Sequence, residues 1–525
     1  MNYVIGSGPA GVSAATALLD RGVPVTMLDA GTELEAHRRR AVEELRAVDP
    51  SLWRGPRVAF LKHNVAPDRK GVGVKYVFGS DFPYRHVESL ATLARVNSDT
   101  TPSLGKGGFS NVWGSAMLPY LQDDIQRWPI TIDDLAPHYR AVLGRMDVSA
   151  TIDELACKFP LYTERAVPLR SSRQTESFLA DLRRNKARLD SAGIAFGASR
   201  IAVRAGTRGN LPGCVYCGLC MYGCPNDLIY NSSFALPVLL ANPNFHYVPD
   251  VIVTKLNESG GTVRIGARRK DGSPLKDFVG ERVYLAAGAI SSTQILLESL
   301  GAFDRPVTLA DSCYFLLPML RLAGSPGVAT EQLHTLSQVF LEIMNPTVCD
   351  KTVHLQVYTF NDLYVAALRK MLGPVYPIAG PILGRMLVLQ GYLHSDLSPS
   401  IDITLSRPNG GDRRELRLEG QVMSEPTKKL LSRVARTLRS NWRSLRGIAA
   451  TPMLHVPAPG RGFHSGGTFP MSTAPREFET DILGRPTGFK RVHVVDSTVF
   501  PSIPATTITL SVMANANRIA SAQVD

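Results

Sequence analysis

Long apolar runs are scarce in this 525-residue chain. The longest charge-free apolar stretch of note, MLGPVYPIAGPILG at 371–384, is broken by three prolines and is too short to cross a bilayer. The amino terminus, MNYVIGSG, shows neither a basic n-region nor an apolar h-region, so we expect no secretion signal, no transmembrane segment and a cytoplasmic location. Low-complexity segments and internal repeats are absent too. The 44 glycines and 36 prolines are spread along the chain, which argues against a disordered tail. Net charge is +12, yet the only tight basic run is Arg38-Arg39-Arg40, which enters the helix-like AVEELRAV. No segment interleaves basic and aromatic side chains as a nucleic-acid platform does, so no nucleic-acid partner is expected. The length exceeds one compact core and implies two domains.

What is present begins at residue 2. A short apolar run, NYVI, enters GSGPAG, then a helical pattern over about 10–21 and a second strand, VPVTMLD. Gly6, Gly8 and Gly11 have G-x-G-x-x-G spacing. The first allows a tight turn, the second lets backbone approach a pyrophosphate, and the third lets helix pack on strand. Asp29 closes the second strand, eighteen residues after Gly11, where a carboxylate accepts ribose hydroxyls. A dinucleotide-binding start follows. Beyond it, WPITIDDLAPHYRAVLGRM reads as a helix capped by Thr131, and 176–193 as another helix. Residues 248–285 alternate as antiparallel strands, and AAGAISSTQILLES runs from strand into helix. Between about 302 and 455, strands such as TVHLQVYTF and SIDITLSRP and the helix KKLLSRVARTLRSNW suggest a separate sheet-plus-helix block.

Four of the seven cysteines fall within eleven residues, in GCVYCGLCMYGCPND. Cys214, Cys217, Cys220 and Cys224, followed by Pro225, follow C-x2-C-x2-C-x3-C-P, the spacing of a ferredoxin cluster loop. Three readings stand: an iron–sulfur cluster (4Fe-4S or 3Fe-4S), a zinc site, or metal-free thiols or disulfide. Cys157, Cys313 and Cys349 are scattered and read as buried thiols.

The order of motifs resembles the glucose–methanol–choline flavin oxidoreductases. GSGPAG…LDAG is similar to their FAD site, GKGGFSNVWG at 105–114 to their loop over the flavin, and GAISSTQILLESLG to their second signature. FHSGGTFPMS…VHVVDSTVFPSIPATTITLSVMANANR resembles their carboxy-terminal block. The resemblance implies an α/β fold, with a Rossmann-like FAD domain from 1–120, 200–300 and 456–525. Residues 121–199 would connect and cover the flavin site, and 302–455 would form an α+β substrate domain.

It also implies oxidation of an alcohol to a carbonyl, with a sugar, polyol or glycosylated compound as substrate. His464 would be the base. Ala505 or Thr506 stands where relatives keep a second His or Asn, so Thr506 would hydrogen-bond the substrate oxygen. A substitute histidine would come from His354 or, by preference, His394 beside Asp396. Val112, preceding Trp113, replaces a covalent attachment point, so FAD would be non-covalent. Gly108, Ser110 and Asn111 would approach the flavin, and Asp496 its ribityl and pyrophosphate. The cysteine loop is similar to that of sugar dehydrogenases with a three-iron cluster, which implies electrons passing to an external protein or quinone acceptor. Two alternatives remain: a cluster-free oxidase making peroxide, and a redox-neutral lyase or isomerase.

Overall fold

A computed structural model describes the chain except residues 64–73, 375, 377–379, 409–412 and 524–525. Part of the apolar 371–384 stretch therefore lies outside the described residues. Among the described residues no helix is long and apolar enough to cross a membrane.

The amino-terminal pattern builds as its sequence dictates. Asn2–Ile5 and Val25–Leu28 are parallel neighbours in a five-stranded sheet ordered Val492–Val494, Arg282–Leu285, Asn2–Ile5, Val25–Leu28, Phe245–Val248. All pairings are parallel, so both faces need covering and the strands are near-continuously buried. The Pro9–Asp20, Ala289–Leu300 and Ile508–Ser521 helices supply much of that cover. The first and last pack together, and Ser13 Oγ donates to the Met513 carbonyl at 2.6 Å. Two glycines are obligatory. Gly6 has φ +99°, and a Cβ there would lie 2.5 Å from the Ala286 oxygen. At Gly11 a Cβ would lie 1.9 Å from the Gly6 oxygen, so the helix could not seat on the turn.

The strands expected over 248–285 form a three-stranded antiparallel meander, Ile252–Ser259, Thr262–Arg268 and Phe278–Gly280, before Arg282–Leu285 joins the parallel sheet. A second five-stranded sheet joins Ser465–Gly466, Val307–Asp311, Ile401–Ser406, Glu415–Gly420 and Thr92–Val96.

The third large sheet has six antiparallel strands: Gly447–Ala449, Tyr314–Arg321, Met386–Tyr392, Val353–Tyr358, Val339–Ile343 and Ile194–Ala198. One face is apolar. Val353, Leu355, Val357, Leu387 and Leu389 pack under the Arg173–Arg184 and Glu425–Ser440 helices through Phe178, Leu182, Leu430 and Leu438. The opposite face carries Glu342, His354, Tyr392 and Tyr314, which follow one another across four strands. Gln356 and Gln390 form part of the next row. Val353–Tyr358 is buried at all six positions, so the polar face of this sheet is buried as deeply as the apolar one. Period-two alternation usually separates core from solvent. Here it separates two buried surfaces of different chemistry.

Gly391 tests the packing of the apolar face. It pairs with Phe315, and a Cβ would lie 2.0 Å from the fully buried Phe315 ring. We predict that Gly391→Ala destabilises the protein by about 1–3 kcal/mol through overpacking. Chemical unfolding measures this, and unchanged stability would show that the ring can move aside.

Candidate functional site: a flavin cradle beside a buried histidine

Helix starts locate the cradle. The Thr131, Ser172, Asn361 and Ser424 side chains each cap the helix that follows them, Thr131 as expected and through a capping box with Asp134. The residues before Pro9–Asp20, Ala289–Leu300 and Ile508–Ser521 put no side-chain cap on these helices, as is also true of Ala36–Arg46 and Pro56–Lys62. A helix start leaves up to four N–H groups unsatisfied and a partial positive charge, which suits an anionic ligand. Gly8 and Gly288, the residues before two of these helices, have nothing within 4 Å of where a Cβ would stand. The loop containing Gly107 and Gly108 closes against this turn: Gly107 N donates to Ser7 Oγ at 2.9 Å, and Gly108 lies beside Gly8. This arrangement fits FAD, with Gly6, Gly8, Gly11, Gly108 and the three helix starts as its backbone surface.

Several side chains expected at the cofactor prove to be braces. Asp29 accepts from Ser7 N, from Ser7 Oγ at 2.7 Å and from the Tyr247 hydroxyl at 2.8 Å. Burial pushes its carboxyl up, and these hydrogen bonds pull it back. Asp496 accepts from Gly288 N and Ser292 Oγ with one oxygen and from Thr498 N with the other, holding the start of the Ala289–Leu300 helix. Ser110 Oγ donates to the Gly107 carbonyl, and Ser232 N donates to it. Asn111 donates to the Lys106 and Gly108 carbonyls and accepts from Asn231. The polar atoms of Ser110 and Asn111 are thus spent inside the loop.

His464 sits on a loop pinned at both ends. Asp311, buried, accepts from Gly460 N with one oxygen and from Ser465 Oγ with the other. Burial pushes its carboxyl up to about 7. Phe463 holds φ +55°, a conformation costing a non-glycine residue about 1–2 kcal/mol, and its ring packs 4.9 Å from Phe109 of the flavin-side loop. His464 stacks on Tyr392, with ring centroids 4.6 Å apart and planes 21° apart. Its surface is half-buried, but it sits deep among neighbouring side chains. This desolvation, with a smaller contribution from His354, pushes its pKa down to about 3. The imidazole is therefore neutral. Nδ1 is enclosed and has no hydrogen-bond partner among the described residues.

The second position departs from expectation. Thr506 is fully buried and its hydroxyl lacks a partner among the described residues, while Ala505 packs against Tyr314 and Tyr392. Thr507 precedes the last helix, and its hydroxyl accepts from Leu118 N at 2.8 Å. His394, the preferred substitute, is spent: Nε2 donates to the Asp124 carbonyl at 3.0 Å and Nδ1 accepts from Asp396 N at 3.1 Å. His354 is the one that reaches His464 electrostatically. The sequence reading passed over Tyr392, Glu342 and Tyr358. Their signal was the alternation of polar with apolar residues in strands such as VHLQVY.

The cysteine run is a loop, as expected. All seven cysteines are free. Cys313 and Cys349 are buried, but Cys157 is exposed, which corrects the expectation of three buried thiols. Cys214, Cys220 and Cys224 pack against the Leu118–Phe159 apolar cluster, whereas Cys217 packs against the Val42–Phe78 cluster. Tyr216 N donates to Cys214 Sγ and Leu228 N to Cys224 Sγ, each at 3.4 Å. Burial pushes the Cys214 and Cys217 thiols up to about 12 and Cys224 up to about 11, toward the protonated form that does not bind metal. Among the described residues no three His, Cys, Asp or Glu side chains converge closely enough to hold a metal ion. The four thiols as folded do not fit an iron–sulfur cluster.

No protein-family model and no curated protein matches this sequence. Solved structures do. Pyridoxine 4-oxidase from Mesorbium loti superposes with a TM-score of 0.61 at 15% identity, covering 99% of this chain and 98% of its own. A formate oxidase gives 0.58 at 15% identity with 99% and 97% coverage, and a variant of the Aspergillus oryzae formate oxidase gives 0.56 at 16% with the same coverages. The fold is that of a flavin oxidoreductase over the whole chain. More particularly, it is the fold of the glucose–methanol–choline oxidoreductases.

Gly8 tests the cradle. Its φ of −63° suits any residue and nothing fills the space beside it, so the fold alone tolerates a side chain there. We predict that Gly8→Val leaves the unfolding transition of the flavin-free protein unchanged and weakens FAD binding at least about tenfold. Flavin fluorescence titration measures this. Wild-type affinity would place the cofactor elsewhere.

Proposed function

We propose that this protein oxidises an alcohol to a carbonyl with non-covalently bound FAD, and that His464 takes the hydroxyl proton. The observation that carries the reading is a neutral, desolvated imidazole held by Tyr392 on a pinned loop whose Phe463 packs on the flavin-side loop. Bound FAD would supply the two-electron acceptor for the hydride that leaves the carbinol carbon. The remaining requirements fall to the chain. The substrate hydroxyl must lie against the imidazole, water must be kept out, and the proton must have somewhere to go. Tyr392 holds the ring plane, and the buried Tyr314–Tyr392–Ala505 cluster limits water at its back.

The substrate class we carry forward is a small hydroxylated molecule, of which a sugar or polyol is one kind. Support comes from the polar sheet face. Gln356, Tyr358, Gln390 and Tyr392 present amides and hydroxyls on it, and the Tyr358 hydroxyl would lie 3.1 Å from a Cβ placed at Gly114 of the flavin-side loop. That wall suits hydroxyl groups better than an aliphatic chain.

The cysteine loop carries no step here. Among the described residues no three of its thiols converge closely enough to hold a metal ion, which favours the cluster-free oxidase reading, and the names of the superposing oxidases agree with it. Purified protein is expected to contain FAD but far fewer than three irons per flavin, and to consume oxygen with its alcohol. Three or more irons with matching acid-labile sulfide, and turnover only with a one-electron acceptor, would restore the dehydrogenase reading.

His464→Gln is expected to retain FAD and lower kcat/KM by roughly 10²–10⁴. In the wild type the depressed imidazole keeps its basic form as pH falls from 8 to 5, so kcat/KM should show no histidine limb near 6–7. A limb there, or an active His464→Gln enzyme, would remove His464 from the role of base.

A further inference from the structure

His354 lies one strand from Tyr392 in the cross-strand row that begins at Glu342. Its Nδ1 is 2.7 Å from Glu342 Oε1, and both side chains are fully buried. The ring is fixed on two sides, edge-on to Phe340 and stacked on Tyr392, whose other neighbours include His464. Nε2 of His354 and Oε2 of Glu342 have no hydrogen-bond partner among the described residues.

A buried carboxylate and imidazole are costly for a fold to keep. A lone ionised group sealed from water is heavily penalised, whereas a pair that together carries no net charge is not. Burial pushes the Glu342 carboxyl up and His354 pulls it back, and one proton held between Nδ1 and Oε1 leaves the pair without net charge. Such a pair is a dipole, and register sets its direction: Glu342 lies farther from Tyr392 and His354 nearer.

We propose that the Glu342–His354 pair is a positioning element for the alcohol-oxidising site, its positive end turned through Tyr392 toward His464. This rests on the reading of His464 as base. There the positive end does two things. It disfavours a second cation on His464, which keeps the base unprotonated, and it favours the negative charge that develops on a substrate oxygen losing its proton.

Other charged groups face the pair. Asp124 and the buried Arg200 both reach Glu342, with opposite effects that offset one another. Asp311, Tyr358 and Arg461 face Tyr392, with Arg461 opposing the other two. For His464 itself, His354 is the charged neighbour that registers.

The test uses the FAD-bound enzyme with its best alcohol. Flavin reduction is followed in a single turnover after a rapid jump to each pH, which keeps exposure to acid brief. Glu342→Gln removes the positive end while preserving shape, and His354→Gln removes it together with the ring that stacks on Tyr392. Both are expected to raise the acid-limb midpoint by about one pH unit and to slow reduction at pH 7 about tenfold, with substrate affinity little changed. His354→Phe should match them. If it fails to fold, the near-isosteric Glu342→Gln carries the test.

An acid limb at the wild-type pH in variants that fold and bind FAD would overturn the proposal and leave the pair a packing feature, even if their melting temperatures fall. Failure of the underlying reading is distinguishable. In that case wild-type flavin is reduced by no alcohol, or His464→Gln is reduced as fast as wild type.

Discussion

An unsatisfied helix start inside a protein must find a partner, and three such starts set the architecture here. Pro9–Asp20, Ala289–Leu300 and Ile508–Ser521 begin without a side-chain cap from the residue before them, whereas the helices that follow Thr131, Ser172, Asn361 and Ser424 receive caps worth about 1 kcal/mol each. The parallel sheet favours this arrangement, because Asn2–Ile5 and Arg282–Leu285 deliver the chain directly to the starts of Pro9–Asp20 and Ala289–Leu300. Asp29, Asp496 and Ser110 then act around the cradle as struts, each satisfied by backbone and hydroxyl donors. The cradle is held in shape by groups that do not themselves face outward.

The six-stranded sheet solves a different problem. One face meets two amphipathic helices and is apolar. The other meets the site and is polar, yet equally buried. Buried polar groups are tolerated when they are paired, and the row through Glu342, His354, Tyr392 and Tyr314 shows how: an acid–imidazole contact followed by stacked and tilted rings. Tyr392 in this row stacks on His464, so the same sheet that supplies an apolar core gives that histidine its support. This division explains why no single loop contains the chemistry. His464 arrives from 460–465, its platform from the Met386–Tyr392 strand and the Phe109 ring that its loop packs on from 105–114.

The sequence made some of this legible and hid the rest for physical reasons. Gly6 and Gly11 announce their turn because only glycine meets its steric demands, and helix bounds came close because Thr131 and the apolar periodicity are local signals. The bracing of Asp29 was hidden: a terminal acid signals a ribose contact, but its donors Ser7 and Tyr247 are brought near only by folding. His394 looked better than His354 because Asp396 is adjacent in sequence, whereas Glu342 meets His354 across two strands. The cysteine spacing suggested inward-pointing thiolates. Spacing says nothing of which apolar cluster each sulfur joins, and Cys217 joins a different one.

The account stands on His464 accepting a hydroxyl proton while hydride leaves the neighbouring carbon. Anaerobic stopped-flow reduction of the FAD-loaded protein, with an alcohol and its α-deuterated form, tests that most directly. The account predicts bleaching of the oxidised flavin band in one turnover, slowed by deuterium and largely lost in His464→Gln. Bleaching that is equally fast in His464→Gln, or no bleaching with any alcohol by an enzyme that holds its flavin, would contradict it.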